Sequence, residues 1–516
     1  MKMNRISTLT IGVAAAFVLN SCGEKFLEGE VTSYLDGGTA ASLVNTSPEA
    51  LTTYLDGMWA FMVSWNVTGA GNNHEDFSYM SVLHSTEMMC EDVTFHKDGW
   101  FIYDYIWDNR ENIWQRTLID WLTFYTLIAK ANEVIDLYIE EPTTPEAKGI
   151  LGQAYAVRGM SYYYLIQLYQ QYMKNADEID YEAQGVPLRY SKNDGLSEEE
   201  QQNRAGRNTV KMVFDQIESD LTKSVEWLEG GYERPSGPSG KNYIDLNVAN
   251  GLLARYYLMA HKWQEAADAA NAARKGYKIM DEKGLQDGFV TISNEEWMWG
   301  FDHNSETGTG FASFFSNMSN LTPGYAGLDD SGHSVADWLY NQMSNTDLRK
   351  KYWYNAPVEG ADGSLTAAQN FPGLPGANYP YSILKFGGDG NYEMDYIYMR
   401  ASEMVLIEAE AYAHLGDEAK AATVLKDLME KRDPAWNKSK VTVDDVWMQR
   451  RFELIGEGFA FFDFKRLYKD MDRSKSTNHM VGCEYTVEAG DIGWTYQLPY
   501  REVQENDEIS EKDQNP

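Results

Sequence analysis

Cysteine is scarce in this chain, with three in 516 residues. Three thiols do not make a disulfide framework, so a buried core must hold the fold. Cys90 and Cys483 leave room for one bridge in an oxidising compartment. Positive charge is also scarce. Lys and Arg total 44 against 78 Asp and Glu, for a formal net charge of −34. Such a surface repels nucleic-acid phosphates and anionic lipid. Catalytic signatures are missing as well. The chain has no His-Glu-x-x-His, no Gly-x-Ser-x-Gly elbow, no Walker loop and no paired-cysteine zinc spacing. Carboxylates are abundant enough that two can always be picked for a glycosidase pair, but only their separation decides that mechanism. The eight histidines are scattered. No metal and no cofactor is expected.

What is plentiful is apolar and aromatic. Apolar residues make up 43%, which is ample for a core, and 34 Tyr with 15 Trp favour a binding surface built from rings. The first 22 residues read as an export segment. Lys2 and Arg5 precede a mostly apolar run from Ile6 to Leu19, too short to span a bilayer. Residues 1–21 are therefore expected to be removed, which takes the net charge to −36. Leu19-Asn20-Ser21-Cys22 resembles a bacterial lipobox, in which Cys22 becomes the acylated first residue. Acyl chains would then anchor the chain to a membrane. No later run is long and apolar enough to cross one.

Helical hairpins organise the rest. Ala401, Leu406, Ala409 and Tyr412 recur at helical spacing, Gly416-Asp417 breaks the pattern, and Ala421, Leu425 and Leu428 resume it before Pro434. Ala409, Tyr412, Ala421 and Leu428 are separated by three, nine and seven residues. Ala254, Tyr257, Ala266 and Ala273 repeat those steps. This is the pattern of a tetratricopeptide unit, which must stack on neighbours to bury its apolar face. Further helices are expected over 46–65, 114–139, 145–171 and 209–228. Two long stretches, 66–112 and 276–395, lack periodicity. The second holds an alternating strand at Trp297–Phe301, whose Trp297 and Trp299 share a core face. It also holds short helices near 334–339 and 347–349, and extended pieces at 350–354 and 379–386. Asp389, Asn391, Glu393 and Asp395 imitate a calcium loop without its terminal Glu, and read as a polar turn. The expected fold is mostly α, a helical-hairpin scaffold with long loop inserts and a few short strands.

The segment Arg450-Arg451-Phe452-Glu453-Leu454-Ile455-Gly456-Glu457-Gly458, continuing to Asp463, Lys465 and Arg466, adds a specific resemblance. Together with Arg400 to Ala411 it resembles the SusD/RagB family. Phe459-Ala460-Phe461 stands where that family has His-Arg-Trp, and the charged frame Glu457, Asp463, Lys465, Arg466 is intact. The resemblance covers nearly the whole chain. It implies one SusD-like domain over 22–516, with an N-terminal part to about 275 and a C-terminal part carrying a variable insert. It implies a surface lipoprotein on the outer membrane that binds glycan beside a TonB-dependent transporter, and no enzyme. The charges themselves read as structural, with Glu453, Glu457, Asp463 and Arg466 pairing with one another between helices.

The two aperiodic inserts hold a large share of the aromatics, and binding residues tend to lie on loops held by a scaffold. Rings cover the C–H faces of sugars while polar side chains bond the hydroxyls. In the first insert the expected platforms are Trp100 and Tyr103, with His96 and Asp98 as polar partners. In the second they are Trp338, Trp353 and Tyr354, with His303 and Asn304. Two other classes stay open on the residues alone, a secreted glycoside hydrolase and a repeat scaffold that binds peptides.

Overall fold

A computed structural model describes residues 37–71, 73–388, 390 and 392–516. The expected export segment and Cys22 lie outside the described residues, as do Asp389 and Asn391 of the acidic turn.

The principal helices in chain order are α1 (Thr52–Met62), α2 (Ser78–Met88), α3 (Gln115–Asp136), α4 (Pro145–Tyr169), α5 (Val210–Leu228), α6 (Leu246–Met259), α7 (Trp263–Ala273), α8 (Ala401–His414), α9 (Glu418–Met429), α10 (Val443–Leu454) and α11 (Ala460–Arg466). Local chemistry sets several of their starts. Thr144, Thr209, Asp245 and Asp417 each accept a first-turn N–H at the start of α4, α5, α6 and α9, and Thr442 with Asp445 forms a capping box on α10. Gly416, at φ 80°, turns the α8–α9 hairpin in the left-handed region. From α3 to α9 each helix packs on the next, so the hairpins form one continuous stack. Ala254, Ala266, Ala273, Ala409, Ala421 and Leu428 are all buried in it, as the repeated spacing requires. Gly159 lets α4 approach α5 closely, since a Cβ there would lie 2.9 Å from Leu221 Cγ.

The inserts contain more structure than their lack of periodicity suggests. Helix α2 lies inside the first, and every one of its residues is buried, so no polar stripe marks it in the sequence. Strand β1 (Val93–Phe95) follows, and pairs antiparallel with β3 (His333–Val335) from the second insert. Strand β2 (Trp297–Phe301) pairs with β6 (Tyr396–Arg400), and β4 (Pro357–Glu359) pairs with β5 (Leu365–Ala367). Three details differ from expectation, the first being that Ser334 and Val335 lie in β3, bonded to β1, so the short helix there runs over Asp337–Gln342. Residues 350–353 belong to a helix, Leu348–Trp353, and not to an extended piece, because Asp347 caps it by accepting from Arg349 N. Helix α1 is preceded by a 3₁₀ turn over Pro48–Leu51, where the Ser47 side chain makes no capping bond. Among the described residues Cys90 and Cys483 are free thiols and do not bridge to each other.

At the centre is a buried ionic frame. Glu453 receives Arg349 at 3.0 Å, Arg400 at 2.7 Å and Arg432 at 2.9 Å. Glu457 receives Arg400 at 2.7 Å and Lys385 at 2.6 Å, and Glu296 receives Arg400 at 2.8 Å. The motif's carboxylates therefore pair mostly with cations brought from elsewhere. Asp463–Arg466, at 2.8 Å, is the pair formed within the expected set. Burial alone would push the Glu453 carboxyl up, but the Arg432, Arg400 and Arg349 guanidiniums outweigh it and hold it well below the ordinary value. The same balance, struck by Arg400 and Lys385, lowers Glu457.

Removing one partner from a buried ion pair strands the others. Glu453→Gln should therefore cost about 3–5 kcal/mol in denaturant unfolding, and a loss below about 1 kcal/mol would contradict the frame's role. The pH dependence has a definite sign. A depressed carboxyl stabilises above its unfolded value, 4.5 for Glu453, and loses that contribution as pH falls toward the folded value. The stability gap between the native chain and Glu453→Gln should thus narrow below about pH 4.5.

Candidate functional site

Where the two inserts meet, the surface opens into a cleft of about 670 Å³. One wall comes from residues 97–103 and the other from residues 325–331, with Glu75 at the base. A strained turn builds the first wall. Phe101 has φ 66°, a left-handed conformation that costs a non-glycine residue roughly 1–2 kcal/mol. Its N–H donates to Glu75 Oε1 at 2.8 Å, and its buried ring packs edge-on to Phe77 and His84. Driving Phe101 inward turns its neighbours outward. Trp100 is half-buried and lines the cleft, and Tyr103 is 47% exposed beside it.

The rings are held in place. Trp100 stacks on His74, with centroids 5.5 Å apart and planes at 21°. Tyr325, from the opposite wall, shares a hydrogen bond with His74 Nδ1 at 2.7 Å and meets Trp100 edge-on at 6.0 Å. Tyr103 stacks on Trp114 at 5.6 Å. The aromatic surface continues past Tyr325 to Phe311, 41% exposed, and past His74 to Trp65, 40% exposed. The polar lining is acidic. Glu75, Asp98, Asp329 and Asp330 line the cleft with one cation among the described residues, Lys97, and Glu75 also pairs at 3.8 Å with the buried Arg116 behind it. Flat rings and acceptor-rich edges suit a ligand with apolar faces and hydroxyl donors. Among the described residues no group of three or more His, Cys, Asp or Glu could hold a metal ion.

Two family models match the chain, one described as SusD-like, starch-binding associating with outer membrane, over residues 46–258, and the other as the SusD family over 318–516. The chain belongs to the SusD family. The SusD fold recurs in solved structures. A SusD-like carbohydrate binding protein from Bacteroides vulgatus aligns with TM-score 0.75 at 21% identity, covering 91% of this chain and 98% of that one. A SusD superfamily protein from Bacteroides thetaiotaomicron gives 0.72 at 22%, with 91% and 100% covered. A laminarin binding SusD-like protein gives 0.62 at 18%, with 90% and 99% covered. No curated protein matches. No helix among the described residues of this SusD-family chain is long and apolar enough to cross a membrane.

The structure divides the residues expected to form the site. Trp100, Tyr103 and Asp98 come together in the cleft. His96 lies across the rim in a separate cleft, its Nε2 bonded to Ser334 Oγ at 2.7 Å and its ring stacked on Tyr379. The choices from the second insert do not join them. Trp353 is fully buried, its indole N–H donates to Leu285 O, and the Lys385 ammonium covers its ring at 4.6 Å. Tyr354 is buried beside it in sequence. Trp338 is half-buried, with Arg451 and Lys475 each 5.3 Å from its ring centroid. His303 is buried, with its ring on Thr307, and Asn304 is exposed in the turn that accepts from Thr307 N. None of these five residues lines the cleft. The second insert contributes Tyr325, Asp329 and Asp330 instead. Their signal is the run Thr322-Pro323-Gly324-Tyr325-Ala326-Gly327-Leu328, an aromatic flanked by turn residues.

Stability should separate the exposed ring from the buried one. Trp353→Ala should cost about 3–5 kcal/mol in denaturant unfolding, and Tyr103→Ala less than about 1 kcal/mol. Equal losses would contradict this division.

Proposed function

We propose that this chain captures neutral glycan at the cell surface, on the cleft framed by Trp100, Tyr103 and Tyr325, and passes it unaltered to a TonB-dependent transporter. The observation that carries the reading is the cleft itself, with ordered rings beside an acidic, hydroxyl-accepting lining. Its charge selects among glycans. With Glu75 paired to Arg116, the acids Asp98, Asp329 and Asp330 against Lys97 disfavour uronate or sulfate groups and leave uncharged sugars. Membership of the SusD family supports glycan binding, and the family model's description supports the outer membrane. Anchoring follows from the lipobox resemblance, with residues 1–21 removed and Cys22 acylated.

A central binding aromatic typically contributes about 2 kcal/mol or more, roughly a thirtyfold change in affinity. Titration calorimetry against a panel of neutral and anionic polysaccharides, including starch, laminarin and pectin, should find a neutral ligand and no anionic one. Trp100→Ala should weaken that ligand about thirtyfold, and the glycan should be recovered at its original chain length. Native-like binding by a folded Trp100→Ala variant would overturn the placement, and shortened products from contaminant-free protein would overturn the lack of catalysis. For the anchor, Cys22→Ala should move the protein from the membrane to the soluble fraction. Unchanged retention would refute acylation there.

A further inference from the structure

A second cleft, of about 630 Å³, lies on the other side of the rim made by Lys97, Asp98 and Gly99. This is within the range of roughly 300–1,000 Å³ in which small-molecule sites fall. Its character is opposite to that of the first. Every described side chain lining it is uncharged at neutral pH, in a protein of net charge −34. Its two imidazoles fit that description, because burial holds His96 well below the ordinary histidine value and brings His479 down to about 3.

The lining is built for a ring with polar edges. His96 and Tyr379 stack face to face, with centroids 3.9 Å apart and planes at 21°. Thr94 Oγ1 and His96 Nδ1 are buried polar atoms with no hydrogen-bond partner among the described residues. At the mouth stand two exposed apolar side chains, Leu365 at 44% and Val481 at 97%. The two clefts also share their framework. Thr94 to His96 line the second cleft, and Lys97 to Trp100 line the first. His96 N donates to Gly332 O at 3.0 Å, and Ser331 Oγ donates to Asp98 O at 3.3 Å, so the rim is bonded on both sides. Asp330, which lines the first cleft, lies near enough to help raise the Tyr379 phenol, after the larger effect of burial. From His96 to Trp100 the chain spans at most about 14 Å.

Resting on the glycan reading above, we propose that the His96–Tyr379 cleft is a second subsite for uncharged sugar, and that one glycan chain crosses the Lys97–Gly99 rim to occupy both. Short ligands then fill the Trp100 cleft alone. Longer ones gain the second contact intramolecularly, so affinity rises with chain length without any change in the first site.

The test is calorimetry with malto-, laminari-, cello-, xylo- and manno-oligosaccharides, each as a short and a long member. Two variants are compared with the native chain. Tyr379→Ala removes half of the stack. Val481→Asp alters the mouth at a side chain that is 97% exposed, so the fold is not at risk. The expected result is tighter binding of the long member of one series, and a loss of about tenfold on that member in each variant. The short member should bind all three proteins alike. If the short member binds but length brings no gain, the second subsite is wrong and the first cleft stands. A gain that survives in both variants would exclude the second subsite in the same way. If no series binds the native protein, the glycan reading itself falls, and this inference with it.

Discussion

The carboxylate of Glu453 sits among three guanidiniums with no exposure to solvent. A charge there is tolerated only because its partners are close and well aimed, since attraction that is weak in water grows as the dielectric falls. The arginines come from three parts of the chain. Arg400 ends strand β6, Arg432 follows α9, and Arg349 lies in the second insert. One side chain thus ties the helical stack to the insert that must be positioned on it. The turn after Glu453 is fixed in the same way. Lys385 donates to Glu453 O and Ile455 O, and Glu87 of α2 accepts from Gly456 N at 2.8 Å and Gly458 N at 3.1 Å.

From this frame the path to the cleft is short. Arg451, two residues before Glu453, holds Asp92 through Nε at 3.0 Å and Glu91 through Nη2 at 2.7 Å. Those two acids immediately precede β1, which leads through the rim to the strained turn at Phe101. On the other side, β3 pairs with β1 and leads back to Asp330, Asp329 and Tyr325. The cleft's rings therefore stand on turns and on the single-turn helices Ile102–Tyr105 and Tyr325–Leu328, but the first of these segments begins at buried ion pairs. This separates rigidity from exposure, as a preformed binding surface requires.

The scaffold was readable because its physics is periodic. A helix packed on one face writes a stripe, and the paired steps of three, nine and seven residues wrote it twice. Helix α2 left no stripe because it is buried on every side. The frame was half readable. The chemistry of Glu453, Glu457, Asp463 and Arg466 marked them as structural, but their partners Arg349, Lys385 and Arg432 lie 104, 72 and 21 residues away from the carboxylates they meet. In the inserts, aromatic density pointed to the stretches that line the cleft without separating exposed rings from packed ones. Trp100 and Trp353 look alike in sequence. What distinguishes them is the inward turn of Phe101 beside one and the ammonium of Lys385 over the other, and both depend on contacts made after folding.

The central claim is that the frame and its two inserts present one aromatic cleft to a neutral glycan. A crystal structure of the protein with a bound neutral oligosaccharide tests it most directly. The account predicts a sugar ring on Trp100, flanked by Tyr103 and Tyr325, with hydroxyls directed at Asp98, Asp329 or Asp330. A sugar bound on another face of the molecule, with the Trp100 cleft left free, would contradict it.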